Sequence, residues 1–102
     1  MVDTAHPIVA GLTNFTTLDE ELYNNVKVFP TTHALLRGKQ ATPIGEAVVA
    51  WTSPYGKTRV FSTTLGHTTE TVSDPRYLRL VTRGLLWSCD KLNDAYLKPE
   101  AR

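Results

Sequence analysis

The run Glu46-Ala47-Val48-Val49-Ala50-Trp51-Thr52 limits what this chain can fold into more than any other stretch. In an extended strand Val48, Ala50 and Thr52 share one face and Ala47, Val49 and Trp51 the other, so neither face is wet. β-branched and aromatic residues over so short a run favour a strand, and one apolar on both sides is built to be covered on both. Ser53-Pro54-Tyr55-Gly56-Lys57 then reads as a turn, because proline presets one backbone angle and glycine accepts a positive one. Arg59-Val60-Phe61-Ser62-Thr63-Thr64-Leu65 supplies the returning strand. The expectation is a β-hairpin over about 46–65, with a loop of about five residues, ended by Gly66.

Size and composition bound the rest. A chain of 102 residues has room for one domain, and 41% hydrophobic residues suffice to bury a core. Eleven basic against ten acidic residues leave a formal charge of +1, which gives no field for a polyanion, so a nucleic-acid partner is not expected. The longest apolar runs are a handful of residues, against about 20 for a membrane-spanning helix. Cys89 is the single cysteine, which excludes an internal disulfide and a cysteine-based zinc cage and fixes no compartment. Met1–Ala5 lacks the basic-then-apolar order of a signal peptide.

Along the chain, residues 1–14 read as irregular, with His6 kept out of the helical region by Pro7. Phe15–Tyr23 leans extended and is followed by a turn at Asn24-Asn25. Val26–Phe29 is a strand candidate that Thr32–Leu36 prolongs beyond Pro30, and Arg37–Gly45 reads as an exposed connection. Ser73 or Asp74 caps a helix that has Pro75 at its first position and runs over about 75–92. Its apolar arc is assigned Tyr77, Leu80, Val81, Gly84, Leu85, Trp87 and Leu92, with Gly84 allowing close approach to the sheet. Arg76, Arg79, Arg83 and Asp90 are assigned to the wet side, from which Arg83 reaches towards a carboxylate. Residues 93–102 form a tail.

Five strings in order, His6-Pro7-Ile8 with Gly11-Leu12, Asp19-Glu20-Glu21-Leu22-Tyr23, Tyr55-Gly56-Lys57 with Arg59-Val60-Phe61, Thr64-Leu65-Gly66-His67, and Arg83-Gly84-Leu85-Leu86-Trp87, resemble the ThuA-like (trehalose-utilisation) domain. The resemblance implies an α/β fold of flavodoxin-like type, related to the class I glutamine amidotransferases and about twice this length. Residues 1–92 would correspond to its C-terminal half. The sharp turn that carries the nucleophilic cysteine in the amidotransferase relatives has no counterpart, and Cys89, late in a helix, does not replace it. A sheet fragment of this kind has an open edge, so self-association, association with an N-terminal half or marginal stability is expected. The implied ligand is a small carbohydrate, of trehalose or 3-keto-glycoside type. Two readings stay open, an enzyme and a non-catalytic sugar-binding or assembly module, and no cofactor is implied.

The candidate catalytic residues are His67, Glu70 and Glu21. His67 follows a strand and a glycine, where open α/β sheets place their ligand crevice, and its imidazole titrates near neutrality. The amidotransferase relatives place a glutamate two residues after their triad histidine; here the nearest, Glu70, is three on. Glu21 is the alternative orienting group. Tyr23, Glu20 and His6 are the candidate substrate-binding residues, an aromatic surface and acceptor-rich groups suited to sugar hydroxyls. Each has an ordinary structural alternative: His67 as a loop residue bonded to backbone, Glu20 and Glu21 paired with Lys57 or Arg59, His6 as a turn residue. His6, His33 and His67 match no metal-ligand spacing, so no metal site is assigned. Trp51 and Tyr55 offer further flat surfaces, and Gly56-Lys57 is a hairpin tip rather than a phosphate loop.

Overall fold

The computed structural model describes residues 2–17, 30–41 and 44–97, with only the backbone at Ala41 and Ile44. The strand expected at Val26–Phe29 lies outside these residues. Three strands, β1 (His33–Ala41), β2 (Ile44–Tyr55) and β3 (Thr58–Thr63), form an antiparallel sheet in the order β1-β2-β3. A 3-10 turn at Pro7–Val9 precedes them, and α1 (Thr69–Ser73) and α2 (Pro75–Ser88) follow. The protein is therefore α/β, with a three-stranded antiparallel sheet and a C-terminal helix.

The expected hairpin forms, but its connection is shorter than the turn residues suggest. Ser53, Pro54 and Tyr55 stay in β2, opposite Val60, Arg59 and Thr58, and only Gly56 and Lys57 form the turn. Gly56 takes a φ of 59° at the first of these two positions, as a type II′ turn requires. Pro54 is tolerated because β1 pairs no further than His33 opposite Thr52, so its missing N–H breaks no β1 bond.

The second departure is β1 itself. Arg37–Ala41, expected as an exposed connection, pair with β2 from Val48 to Ile44. Among the described residues β1 is an edge strand, which needs few apolar side chains and commonly carries charged ones such as Arg37 and Lys39. Arg37 Nε donates to Glu46 Oε1 across the pair at 2.9 Å. The register shifts on both sides of the Leu36–Ala50 pair: Leu35 is extra on β1 and Val49 on β2. These paired bulges interrupt the alternation, and consecutive residues, Leu35-Leu36 and Val49-Ala50, all enter one buried cluster.

That cluster is completed by Ile8, Val9, Leu12 and Leu80, with Phe15, Phe61, Leu65 and Trp87 packed against it. Complete burial of Ile8, Val9, Leu35 and Leu80 contributes about 1.5–3 kcal/mol each. α2 begins as the sequence predicts: Asp74 caps it by accepting from Arg76 N–H at 2.8 Å, and Pro75 is first. α1 is a single further turn, capped by Thr68, whose hydroxyl accepts from Thr71 N–H.

α2 faces the core through Leu80 and Gly84, so two assignments of its surface need correction. Leu85, placed on the apolar arc, is 62% exposed, because five residues beyond Leu80 is 140° around the helix. Arg79 and Arg83, placed on the wet side, instead grip the N-terminal segment. Arg83 Nε and Nη2 donate to Pro7 O at 2.9 and 2.7 Å, and Arg79 Nε and Nη2 to Ala10 O at 3.3 and 2.9 Å. Arg83, three residues beyond Leu80, lies beside the buried stripe, and the Pro7 carbonyl is its acceptor among the described residues.

The helix also stops earlier than its pattern suggests, at Ser88 instead of Leu92. Asp90 adopts φ 56°, Lys91 N–H bonds to Leu86 O at 2.7 Å and Asp90 N–H to Trp87 O at 3.0 Å. This is a Schellman stop with aspartate where glycine is usual. Two tests follow. Asp90→Asn, which keeps a residue tolerant of this conformation, leaves the denaturation midpoint nearly unchanged, whereas Asp90→Ala costs about 1 kcal/mol. At Gly84, a Cβ would lie 2.6 Å from Phe61 Cγ. Gly84→Ala destabilises by about 1–3 kcal/mol despite its better helix propensity, and adding Phe61→Leu recovers part of the loss in urea unfolding.

Candidate functional site

Past His33 and Thr52 the β2–β3 ribbon continues alone, and the C-terminal end of α2 lies beside it. Between them is a cleft of about 260 Å³ lined by Thr31, His33, Thr52, Ser53, Pro54, Gly56, Lys57, Thr58, Arg59 and Trp87. Most of these residues come from the hairpin tip and the start of β1, and Trp87 of α2 completes the wall.

One wall is held by a chain of contacts. Trp87, one residue before the end of α2, lies under the Arg59 guanidinium, 4.1 Å from carbon to ring centroid, an arrangement favoured by cation–π attraction. Asp90, turned by its left-handed backbone, accepts from Arg59 Nη1 at 3.1 Å. The His6 ring packs on Trp87 at 5.4 Å and on His33 at 5.8 Å between centroids. His33 Nε2 stands 2.7 Å from Asp3 Oδ2, while Asp3 Oδ1 accepts from Ala5 N–H at 3.0 Å. A carboxylate only accepts, so the His33 proton sits on Nε2 and Nδ1 is the acceptor of the neutral ring.

The electrostatics of the two histidines differ. His6 Nδ1 accepts from Ile8 N–H at 3.2 Å, capping the 3-10 turn, so its neutral form carries the proton on Nε2. Burial holds the His6 pKa below the ordinary 6.5; Asp3 opposes this, and the charges of His33 and Arg59 add to it. The hydrogen bond from His33, then that from Ala5 N–H, lowers the Asp3 carboxyl below its ordinary value. Asp3 is therefore ionised and His6 neutral at pH 7.

The structure separates the sequence candidates. His6 joins this wall, against His33 and Trp87. His67 is exposed at the other end of β3, after Gly66 at φ 113°, and Glu70 is exposed in the first turn of α1; neither lines the cleft. Glu20, Glu21 and Tyr23 lie outside the described residues. Trp51 and Tyr55 do not line the cleft, where the aromatic surface is Trp87. Sequence reasoning passed over Asp3, Arg59 and Trp87 as parts of one site, and it grouped His33 with His6 only as possible metal ligands. Among the described residues no three His, Cys, Asp or Glu side chains converge as a metal set. The available signal was Arg59, two residues past a Gly-Lys turn and facing the end of an amphipathic helix.

A lowered histidine pKa means that the folded state prefers the neutral ring. The stability His6 contributes is then fully present above about pH 6.5 and is lost as pH falls through its lower folded value. The stability Asp3 contributes is fully present above about pH 3.8 and is lost as pH falls through its lower folded value, so the two windows are distinct. Denaturation midpoints followed from about pH 8 to about pH 5 fall for the wild type and stay flatter for His6→Asn, which keeps a capping acceptor. Parallel profiles would remove His6 as the cause.

No curated protein and no solved structure matches the chain. The sequence model of the family described as ThuA, trehalose utilisation, matches residues 1–88 of the 102. That span takes in the 3-10 turn, the sheet, both helices and every residue lining the cleft, and the chain belongs to the ThuA (trehalose-utilisation) family.

Proposed function

We propose that this chain serves trehalose utilisation by holding one ring of a trehalose-type or 3-keto-glycoside sugar in the cleft at the hairpin tip. The observation that carries the reading is the lining itself. It brings Thr31, Thr52, Ser53 and Thr58 together with Lys57, Arg59 and His33. Hydroxyls both give and accept, and Arg59 and Lys57 give, so a ring of vicinal hydroxyls finds partners around its edge. The volume, about 260 Å³, lies just under the range of about 300–1,000 Å³ usual for ligand clefts and suits one pyranose ring rather than a disaccharide. The wider flavodoxin-like placement of the fold belongs to the same proposal. It is supported by the family and by the short and the long helix that follow the hairpin.

A catalytic reading has one observation of its own. His67 is exposed at the carboxyl end of β3, the end at which open α/β sheets bind ligands, and Glu70 follows within a turn. In that reading His67 transfers a proton and the cleft near Arg59 positions another part of the sugar. One titration separates the two. With glucose, trehalose and a 3-keto-glucoside added to well above millimolar concentration, amide shifts at Ser53–Arg59 and at the Trp87 indole are the expected result. Shifts confined to Gly66–Glu70, or loss of turnover in His67→Ala with Ser53–Arg59 unmoved, would replace the cleft with His67 as the site. Absence of shifts with every sugar would overturn both.

A further inference from the structure

The cleft has a charge asymmetry that recognition of a neutral sugar does not require. Lys57, Arg59 and His33 line it, and among the described residues no aspartate or glutamate does. The chain as a whole has almost as many acids as bases, ten against eleven, so this is not the average surface. The two acids close by, Asp3 and Asp90, do not line the cleft; each bonds one of its cationic or titratable side chains, at 2.7 Å to His33 and 3.1 Å to Arg59.

Arg59 is also fixed in place. Trp87 packs against the guanidinium at 4.1 Å, and Asp90 takes one of its five N–H groups. A side chain immobilised in this way gives up little further freedom when it binds. A sugar hydroxyl is donor and acceptor at once, and a lining made for it gains from a carboxylate. A lining of ammonium, guanidinium and hydroxyl groups with no carboxylate matches a group that only accepts and carries negative charge.

Resting on the sugar reading above, we infer that this cleft binds the phosphoryl group of a phosphorylated sugar, with Lys57 and Arg59 as its charged donors. Lys57 sits in the turn, whose shape Gly56 sets, so its replacement leaves the fold intact.

The test is calorimetry together with amide-shift mapping, using glucose, glucose 6-phosphate, glucuronate and inorganic phosphate on the wild type, Lys57→Met and Arg59→Gln. Glucose 6-phosphate is expected to bind at least roughly tenfold tighter than glucose, to weaken with added salt and to shift Gly56–Arg59. Each variant is expected to lose roughly tenfold more affinity for glucose 6-phosphate than for glucose. Lys57→Met carries the result should Arg59→Gln unfold. Equal affinity for glucose and glucose 6-phosphate overturns the phosphoryl site and leaves the sugar reading standing. Inorganic phosphate binding as well as glucose 6-phosphate, with glucose silent, supports the phosphoryl site and overturns the sugar reading. Glucuronate matching glucose 6-phosphate overturns phosphoryl in favour of any anion, and silence from all four ligands overturns both readings.

Discussion

Two guanidinium forks closing on two carbonyl oxygens hold this molecule in its working shape. Arg83 on Pro7 O, which also accepts from Ala10 N–H within the turn, and Arg79 on Ala10 O join the long helix to a segment some seventy residues earlier. With that segment docked, Ile8, Val9 and Leu12 enter the core. Beyond it, His6 reaches Trp87 and Asp3 reaches His33. Gly11 serves the same contact: at φ 77°, a Cβ there would lie 2.7 Å from Arg79 Nη2. The wall of the cleft is thus a product of tertiary docking rather than of any local motif.

This explains which parts of the fold could be read in the sequence. The hairpin, the Asp74-Pro75 helix start and the close approach at Gly84 each follow from a rule acting within a few residues, and each is present. The departures arise where a partner decides. Arg37–Ala41 have too few apolar residues to announce a strand, yet the backbone of β2 pairs them. Asp90 ends α2 without the glycine that would have flagged the stop, and the bulges around Leu36–Ala50 come from two strands adjusting to each other. The arginines of α2 looked solvated because a charge pattern shows where the stem starts and not which carbonyl it reaches.

The site was legible only in pieces. His6 was singled out on the resemblance to a family and stands in the wall; Arg59 and Trp87 are separated by 28 positions and meet only because β3 and α2 pack together. Histidine after a strand, the pattern that drew attention to His67, describes a place in a topology, and the structure puts that place at the opposite end of β3 from the cleft. Family membership brings sugar chemistry to the chain as a whole, and the polarity of the lining says where on the chain that chemistry finds the most donors.

One feature of the sheet bears on how such a cleft would behave. β2 is 12 residues long and outruns β1, so its last residues are paired on one side only. Two-stranded ribbons twist more and open at lower cost than the middle of a sheet. Backbone amide exchange should therefore quicken from Ser53 outward to the tip, leaving an anchored base and a pliant lip. A ligand gripping that lip would slow its exchange without any movement of the helix beneath.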